Sequence, residues 1–182
     1  MSFVNTPLSQ AQPQLDSSKN SAYQVYRVDI VPLDLTHADT VDLRELGVAY
    51  TTPVYWFLAP SGLQNQLTHV ANEVLVDPIL QKAVLSTIQQ PTFAWQHLLP
   101  QDPVWILEQQ FLPGVTDNLA TTVMRSLQWV WPQQAQQPLP QVCVASGQLS
   151  IMPYANVKTQ QNQPSLQQLA YQLYHPLVHQ AW

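Results

Sequence analysis

The two halves of this chain carry similar anchor residues in the same order, and this internal repeat constrains the fold more than any other feature. An ordered repeat predicts two copies of one structural unit, here of roughly 80 residues. Two prolines illustrate it, because Pro32 and Pro113 each follow a strand-like run. The other matches are Leu43-Arg44-x-Leu46 with Met124-Arg125-x-Leu127, Pro53-Val54 with Pro140-x-Val142, Ala59-x-Ser61-Gly62 with Ala145-Ser146-Gly147, and 70–80 with 169–178.

Each unit alternates strand patterns with helix patterns. In the first unit the patterns predict strands over 23–31, 52–58 and 83–88, a short helix over 36–46 that stops at Gly47, and an amphipathic helix over 63–76. In the second unit they predict strands over 104–112, 141–145 and 149–153, with a turn at Ser146-Gly147. Helices are predicted over 118–129, capped by Asp117, and over 165–174. This order predicts an α+β fold of two tandem ferredoxin-like units of β-α-β-β-α type. Their open sheet faces would cover each other as a pseudo-dimer.

Local composition predicts where the units begin and end. Residues 1–22 are rich in Ser, Gln, Asn and Pro, which is typical of a flexible N-terminal arm. The first unit is predicted over 23–90 and the second over 104–182. Residues 91–103 contain several prolines and are predicted to link the units. Phe93 and Trp95 indicate that this linker packs against the rest of the protein.

Composition also limits the classes of partner. The net charge is -5 and the few basic residues are scattered singly, which argues against nucleic acid. The chain contains no run of about 18 apolar residues, which is the length that would predict a membrane span. We expect a cytoplasmic protein. The single Cys143 excludes an internal disulfide, and its apolar strand predicts a buried structural thiol rather than a nucleophile. Six Trp on a chain with 9% charged residues indicate either an apolar surface covered by a partner or a Trp-rich core.

The sequence predicts no catalytic, cofactor-binding or metal site. With four glycines the chain has no Gly-rich phosphate loop. His175 and His179 have the i, i+4 spacing of a zinc pair, but a proline lies between them and no glutamate accompanies them. Asp34, His37 and Asp39 could form a metal cluster, but a polar helix start is much the better interpretation of these residues.

The segment 111–118, Phe-Leu-Pro-Gly-Val-Thr-Asp-Asn, resembles the small non-catalytic subunit of phosphoribosylformylglycinamidine synthase. The segments 75–81 and 174–178 resemble the end of the second helix of that subunit, and Val54-Tyr55 falls where the family has a central strand. The resemblance covers 23–182 and is strongest to synthases whose N-terminal region holds two such units in tandem. The first unit differs, because it has Pro32-Leu33-Asp34-Leu35 where the family has the Pro-Gly-Val-x-Asp phrase.

The resemblance implies a function without chemistry of its own. In that family the small subunit lies between an ATP-dependent synthetase and a glutaminase that releases ammonia, in the fourth step of de novo purine synthesis. This chain would therefore be a non-catalytic bridging component that binds synthetase and glutaminase subunits or domains and needs no cofactor. Its end would coincide with the start of the synthetase domains in a fused enzyme, so we expect a stand-alone subunit or an N-terminal fragment. The candidate partner contact comprises Pro113, Gly114, Val115 and Asp117.

A second interpretation stays open on sequence alone. Ferredoxin-like pairs often bind small molecules at their shared interface, so the chain could be a ligand-sensing or regulatory module. No convergent set of charged residues in the sequence points to a particular metabolite.

Overall fold

The computed structural model describes residues 23–43, 47–90, 92–100, 102–131, 139–153, 166–174 and 179–181. Within these ranges the chain is an α+β protein with one seven-stranded antiparallel sheet and three α-helices. The elements in chain order are β1 (Tyr23–Pro32), a 3-10 helix (Leu35–His37), β2 (Asp39–Asp42), β3 (Val48–Pro60), α1 (Gln64–Val74), β4 (Gln81–Thr87), β5 (Pro103–Phe111), α2 (Asn118–Val130), β6 (Val142–Pro153), α3 (Leu166–Leu173) and β7 (His179–Ala181).

The sheet runs without a break from the first half of the chain into the second. Its strand order is β4-β1-β3-β6-β5-β7, and the short β2 pairs with β3 beyond the end of β1. The two longest strands, β3 and β6, lie at the centre and pair from Tyr50 opposite Ile151 to Leu58 opposite Val142. The two halves are therefore joined by backbone hydrogen bonds.

One face of the sheet packs against α1 and α2. Side chains alternate along a strand, so Tyr26 on β1 and Phe57 on β3 both point to this face and are fully buried. Leu67 from α1 and Leu127 from α2 complete the cluster. The buried residues of both helices are spaced as in amphipathic helices, which confirms the prediction for α1.

The predicted linker covers the opposite face. Trp95 is completely buried there, and its ring stacks on Tyr50 with 5.9 Å between ring centroids. Val54 from β3 and Ile151 from β6 belong to the same cluster, and Phe93 packs against it. The prediction that Phe93 and Trp95 pack down is thus confirmed.

The helix predicted over 36–46 is wrong in its described part. Asp34 caps only a single 3-10 turn, and the chain then enters β2, which forms a ladder with β3. The misleading residues are Val41 and Leu43, because their i, i+2 spacing suits a strand as well as a helix edge. Thr40 and Val41 are β-branched, which favours the strand. Residues 44–46 lie outside the described ranges.

The turn predicted at Ser146-Gly147 is also wrong, because β6 is continuous through it. Between the pairs Val54–Gly147 and Trp56–Val144, β6 holds one more residue than β3, which is a β-bulge. A Cβ on Gly147 would lie 2.8 Å from the carbonyl oxygen of Val54. Glycine is needed here for close strand approach rather than for a turn.

The outer edge strand β4 is partly blocked by α1. The Asn72 side chain on α1 accepts a hydrogen bond from the backbone N–H of Ala83 on β4, at 3.1 Å. Its amide group donates to the carbonyl of Thr68 in its own helix. An edge amide occupied in this way cannot pair with another strand, which limits edge-to-edge association.

Candidate partner-contact site

The candidate contact begins as a tight turn at the end of β5. The N–H of Val115 donates to the carbonyl of Leu112 at 3.0 Å, which closes a four-residue turn. Pro113 occupies the second position, and Gly114 occupies the third with φ of +90°. Proline followed by a residue with positive φ is the pattern of a type II turn. No atom lies within 4 Å of a Cβ built on Gly114, so the backbone conformation alone requires glycine.

Asp117 fixes this turn to both α2 and the sheet. Its Oδ1 accepts a hydrogen bond from the N–H of Ala120 at 2.8 Å, which caps α2 as predicted. Its Oδ2 accepts from the N–H of Ala145 on β6 at 3.0 Å. Both carboxylate oxygens are therefore engaged within the chain. Asp117 positions the turn.

The tip of the turn is exposed. Pro113, Gly114 and Thr116 are exposed, and Val115 keeps 37% of its surface accessible. Leu119 in the first turn of α2 is likewise exposed. All five residues are uncharged, and none of their side chains forms a hydrogen bond with another described residue, so the tip offers a mainly apolar contact on a rigid base.

The other residues singled out in the sequence do not come together as a chemical site. Asp34 accepts hydrogen bonds from the backbone and hydroxyl of Thr36, and these bonds lower the pKa of the Asp34 carboxyl. His37 lies 3.1 Å from the same carboxylate. In the described ranges no three His, Cys, Asp or Glu side chains form a metal-binding group. His175 lies outside the described residues, and of Cys143 the structure describes only its backbone place in β6.

A buried charge cluster on the sheet face opposite α1 and α2 was not predicted. Arg27 on β1 donates from Nε and Nη2 to Asp29, at 2.8 to 3.2 Å, and from Nη1 to Glu108 on β5 at 2.6 Å. The indole N–H of Trp56 on β3 donates to the other oxygen of Glu108 at 2.8 Å. The Arg27 guanidinium also lies 5.3 Å from the centroid of the Trp56 ring. One arginine thus ties strands from both halves together.

This cluster contains two carboxyl groups but only one guanidinium group to pair with them. One of the two acids, Asp29, is only 1% exposed. Burial raises the pKa of Asp29, the bonds from Arg27 offset part of that rise, and the nearby Glu108 adds to it. All the hydrogen bonds described for Arg27 go to these two acids, so the cluster holds the strands together and is called the clamp below.

The sequence signal that could have predicted the cluster is a charged residue inside an apolar strand, as in the Val-Trp-Ile-Leu-Glu run of β5.

None of the helices in the described part of the chain is both long and apolar enough to cross a membrane. In comparisons with known proteins, no family, no curated protein and no solved structure matches this chain.

Proposed function

We propose that this chain is a non-catalytic bridging component of phosphoribosylformylglycinamidine synthase, which helps to assemble the synthetase with the glutaminase in the cytoplasm. The observation that carries the proposal is the segment 111–118. Its eight residues resemble the small subunit of that enzyme, and they form a strand end, a type II turn and a capped helix start with an exposed tip. A contact element needs this combination of a rigid base and an accessible surface.

The arrangement of the two halves supports the tandem-unit part of the proposal. In each half the first strand lies between the other two, as β4-β1-β3 and as β7-β5-β6. In each half a helix follows the strand at the centre of the whole sheet and precedes the strand at its edge. The order is β3, α1, β4 in the first half and β6, α3, β7 in the second. We therefore propose that the units are diverged ferredoxin-like copies that share one sheet as a pseudo-dimer. The first has lost the helix between its first two long strands.

The charge cluster adds a second argument for duplication. Arg27 and Glu108 are separated by 81 positions in the chain. The same offset relates Pro32, the last residue of β1, to Pro113, which follows the end of β5. In a two-fold arrangement, equivalent positions on β1 and β5 face each other across the axis between β3 and β6. A side-chain pair meeting there fits such an axis.

Within the proposed contact, the residues have different roles. Pro113, Gly114 and Val115 present the surface, and Asp117 holds it in place from below. Because the tip is apolar and accessible, a charge at Val115 would disturb a contact without disturbing the fold. Gly114 is a poorer probe, because any L side chain is strained at φ of +90°.

The test compares glutamine with ammonia as nitrogen donor, with synthetase and glutaminase from the same cell and with or without this chain. If the chain is a bridge, its removal lowers glutamine-dependent activity much more than ammonia-dependent activity. Val115→Asp should reproduce that loss, and the matched control Leu33→Asp, at an exposed site (46%) after β1, should not. Equal activity from both donors, with and without the chain, would refute the bridge and favour the regulatory module.

A further inference from the structure

Among the described residues, one tryptophan on the helix layer is the most exposed large hydrophobic side chain. Trp129, near the end of α2, keeps 89% of its surface accessible. It lies at one side of an open groove of about 520 Å³ between α1 and α2. Burying a Trp removes roughly 150–250 Å² of surface from water. An exposed Trp next to an apolar groove is therefore a strong candidate for an interface anchor.

The groove is apolar apart from two opposite charges. Glu73 and Val74 line it from α1, and Arg125, Trp129 and Val130 line it from α2. The two hydroxyls on its α2 side need no outside partner, because Thr122 donates to the carbonyl of Asn118 and Ser126 donates to that of Thr122. An occupant is therefore required to match only apolar surface, one anion and one cation.

The two charges lie on opposite walls of the groove. Glu73 belongs to α1, where its carboxylate lies 3.4 Å from Nε2 of His69. Arg125 belongs to α2 and forms no salt bridge with any described residue. A surface with one charge of each sign on facing walls is complementary to itself when it is rotated about an axis along the groove. That rotation places Glu73 of each copy over Arg125 of the other copy, which gives two equivalent charge pairs.

We propose that a second copy of this chain docks on the groove between α1 and α2, about a two-fold axis that runs along it. In such an isologous interface the same patch serves both copies. Trp129 of each copy then covers the apolar wall at Val74 of the other, and both charge pairs are formed. This inference is independent of the bridging role, because it uses a different surface and a different partner.

The size of the surface sets the expected strength. The 13 residues of α2 span about 20 Å at 1.5 Å per residue, and packed helices lie roughly 8–10 Å apart. Two helices of about 10 Å diameter side by side therefore offer on the order of 400 Å² per copy, roughly half of the ~800 Å² per partner that a stable interface buries. We expect a weak, reversible dimer with a dissociation constant in the micromolar range, roughly 1–100 μM.

Sedimentation velocity over a concentration series up to about 300 μM, well above that range, tests the proposal. The full chain should pass from monomer to dimer. Trp129→Ala should weaken dimerisation at least about 30-fold, the loss typical of truncating an anchor residue. The matched control Tyr171→Ala removes an aromatic that is 64% exposed on α3, outside the groove, and should leave the dissociation constant unchanged. Circular dichroism and thermal unfolding verify that each variant is folded.

Charge reversal then tests the orientation. Glu73→Arg and Arg125→Glu each place like charges opposite each other and should weaken the dimer about tenfold, whereas the double variant should recover it. A chain that stays monomeric throughout overturns the proposal. So does a dimer that tolerates Trp129→Ala, or a double variant no better than either single one. A dimer equally weakened by Tyr171→Ala also overturns it, because the interface would then lie elsewhere.

Discussion

Replacing Arg27 by Met removes the charge that holds the buried cluster together and keeps most of the aliphatic stem. Asp29 then loses all three bonds that it receives from the guanidinium, in a site that is 1% exposed. Glu108 loses one bond but keeps the one from the Trp56 indole. The larger part of the penalty therefore falls on Asp29.

The expected loss in the free energy of unfolding follows from how the lost hydrogen bonds are divided between Asp29 and Glu108. Breaking a buried ion pair by removing one partner costs about 3–5 kcal/mol, because the other charge stays buried without compensation. The Arg27 side chain is 21% exposed, so water reaches one side of the cluster. We therefore expect a loss of about 3 kcal/mol at neutral pH, near the lower end. The loss should shrink on acidification, because a protonated Asp29 no longer leaves a buried negative charge when the cation is removed.

Urea unfolding followed by tryptophan fluorescence measures this, since urea leaves the ionic strength unchanged. The control is Lys82→Met, which removes a cation of the same sheet whose contact with His97 is exposed to solvent, and it should cost under about 1 kcal/mol. Adding Asp29→Asn and Glu108→Gln to Arg27→Met should restore part of the stability. A loss below about 1 kcal/mol, or one of equal size at pH 4 and pH 7, would refute the account of the clamp.

Three further predictions concern single positions. Gly147→Ala should cost about 2 kcal/mol, or a melting temperature lower by roughly 4–8 °C, because its Cβ would meet the Val54 carbonyl; an unchanged melting temperature would contradict it. Asp117→Ala should cost about 2–3 kcal/mol in denaturant unfolding, since a helix cap and a β6 partner are both lost. Asp117→Asn should cost less, because its amide oxygen can still accept one of the two bonds, and a loss as large as that of Asp117→Ala would contradict this. The raised pKa of Asp29 means that the folded state keeps its proton to higher pH than the unfolded state does. Relative to Asp29→Asn, wild-type stability should therefore fall as pH rises from about 4 through that raised pKa, whereas parallel pH profiles would argue against it.

Elements fixed by local chemistry were predictable from the sequence. The Asp117 cap and the start of α2 follow from one side chain and its own next turn. The apolar spacing also predicted α1 and its buried face. In α2 the apolar spacing places Leu119, Val123, Leu127 and Val130 on one face. Of these, Val123 and Leu127 are buried, but Leu119 and Val130 are exposed, and Trp131 just after the helix is buried instead. A tryptophan at the end of a helix can outweigh two smaller apolar residues in deciding which face packs.

Features that depend on distant strands could not be predicted. The need for glycine at position 147 arises only from the approach of Val54, on a strand from the other half of the chain. Likewise Trp56 and Glu108 meet across 52 positions of sequence, and no local pattern encodes which strands become neighbours. The turn at 112–115 was the exception within the candidate site, because its Pro-Gly pair sets the conformation locally.

The central pairing of β3 with β6 has a consequence for synthesis on the ribosome. β3 ends at Pro60, whereas its partner begins only at Val142. At the usual elongation rate of roughly 5–20 residues per second, the inner edge of β3 waits roughly 4–16 s for that partner. During that time an apolar strand is open to pairing with other nascent chains. Slow codons between these two strands should therefore lower the yield of folded protein more than slow codons after β6.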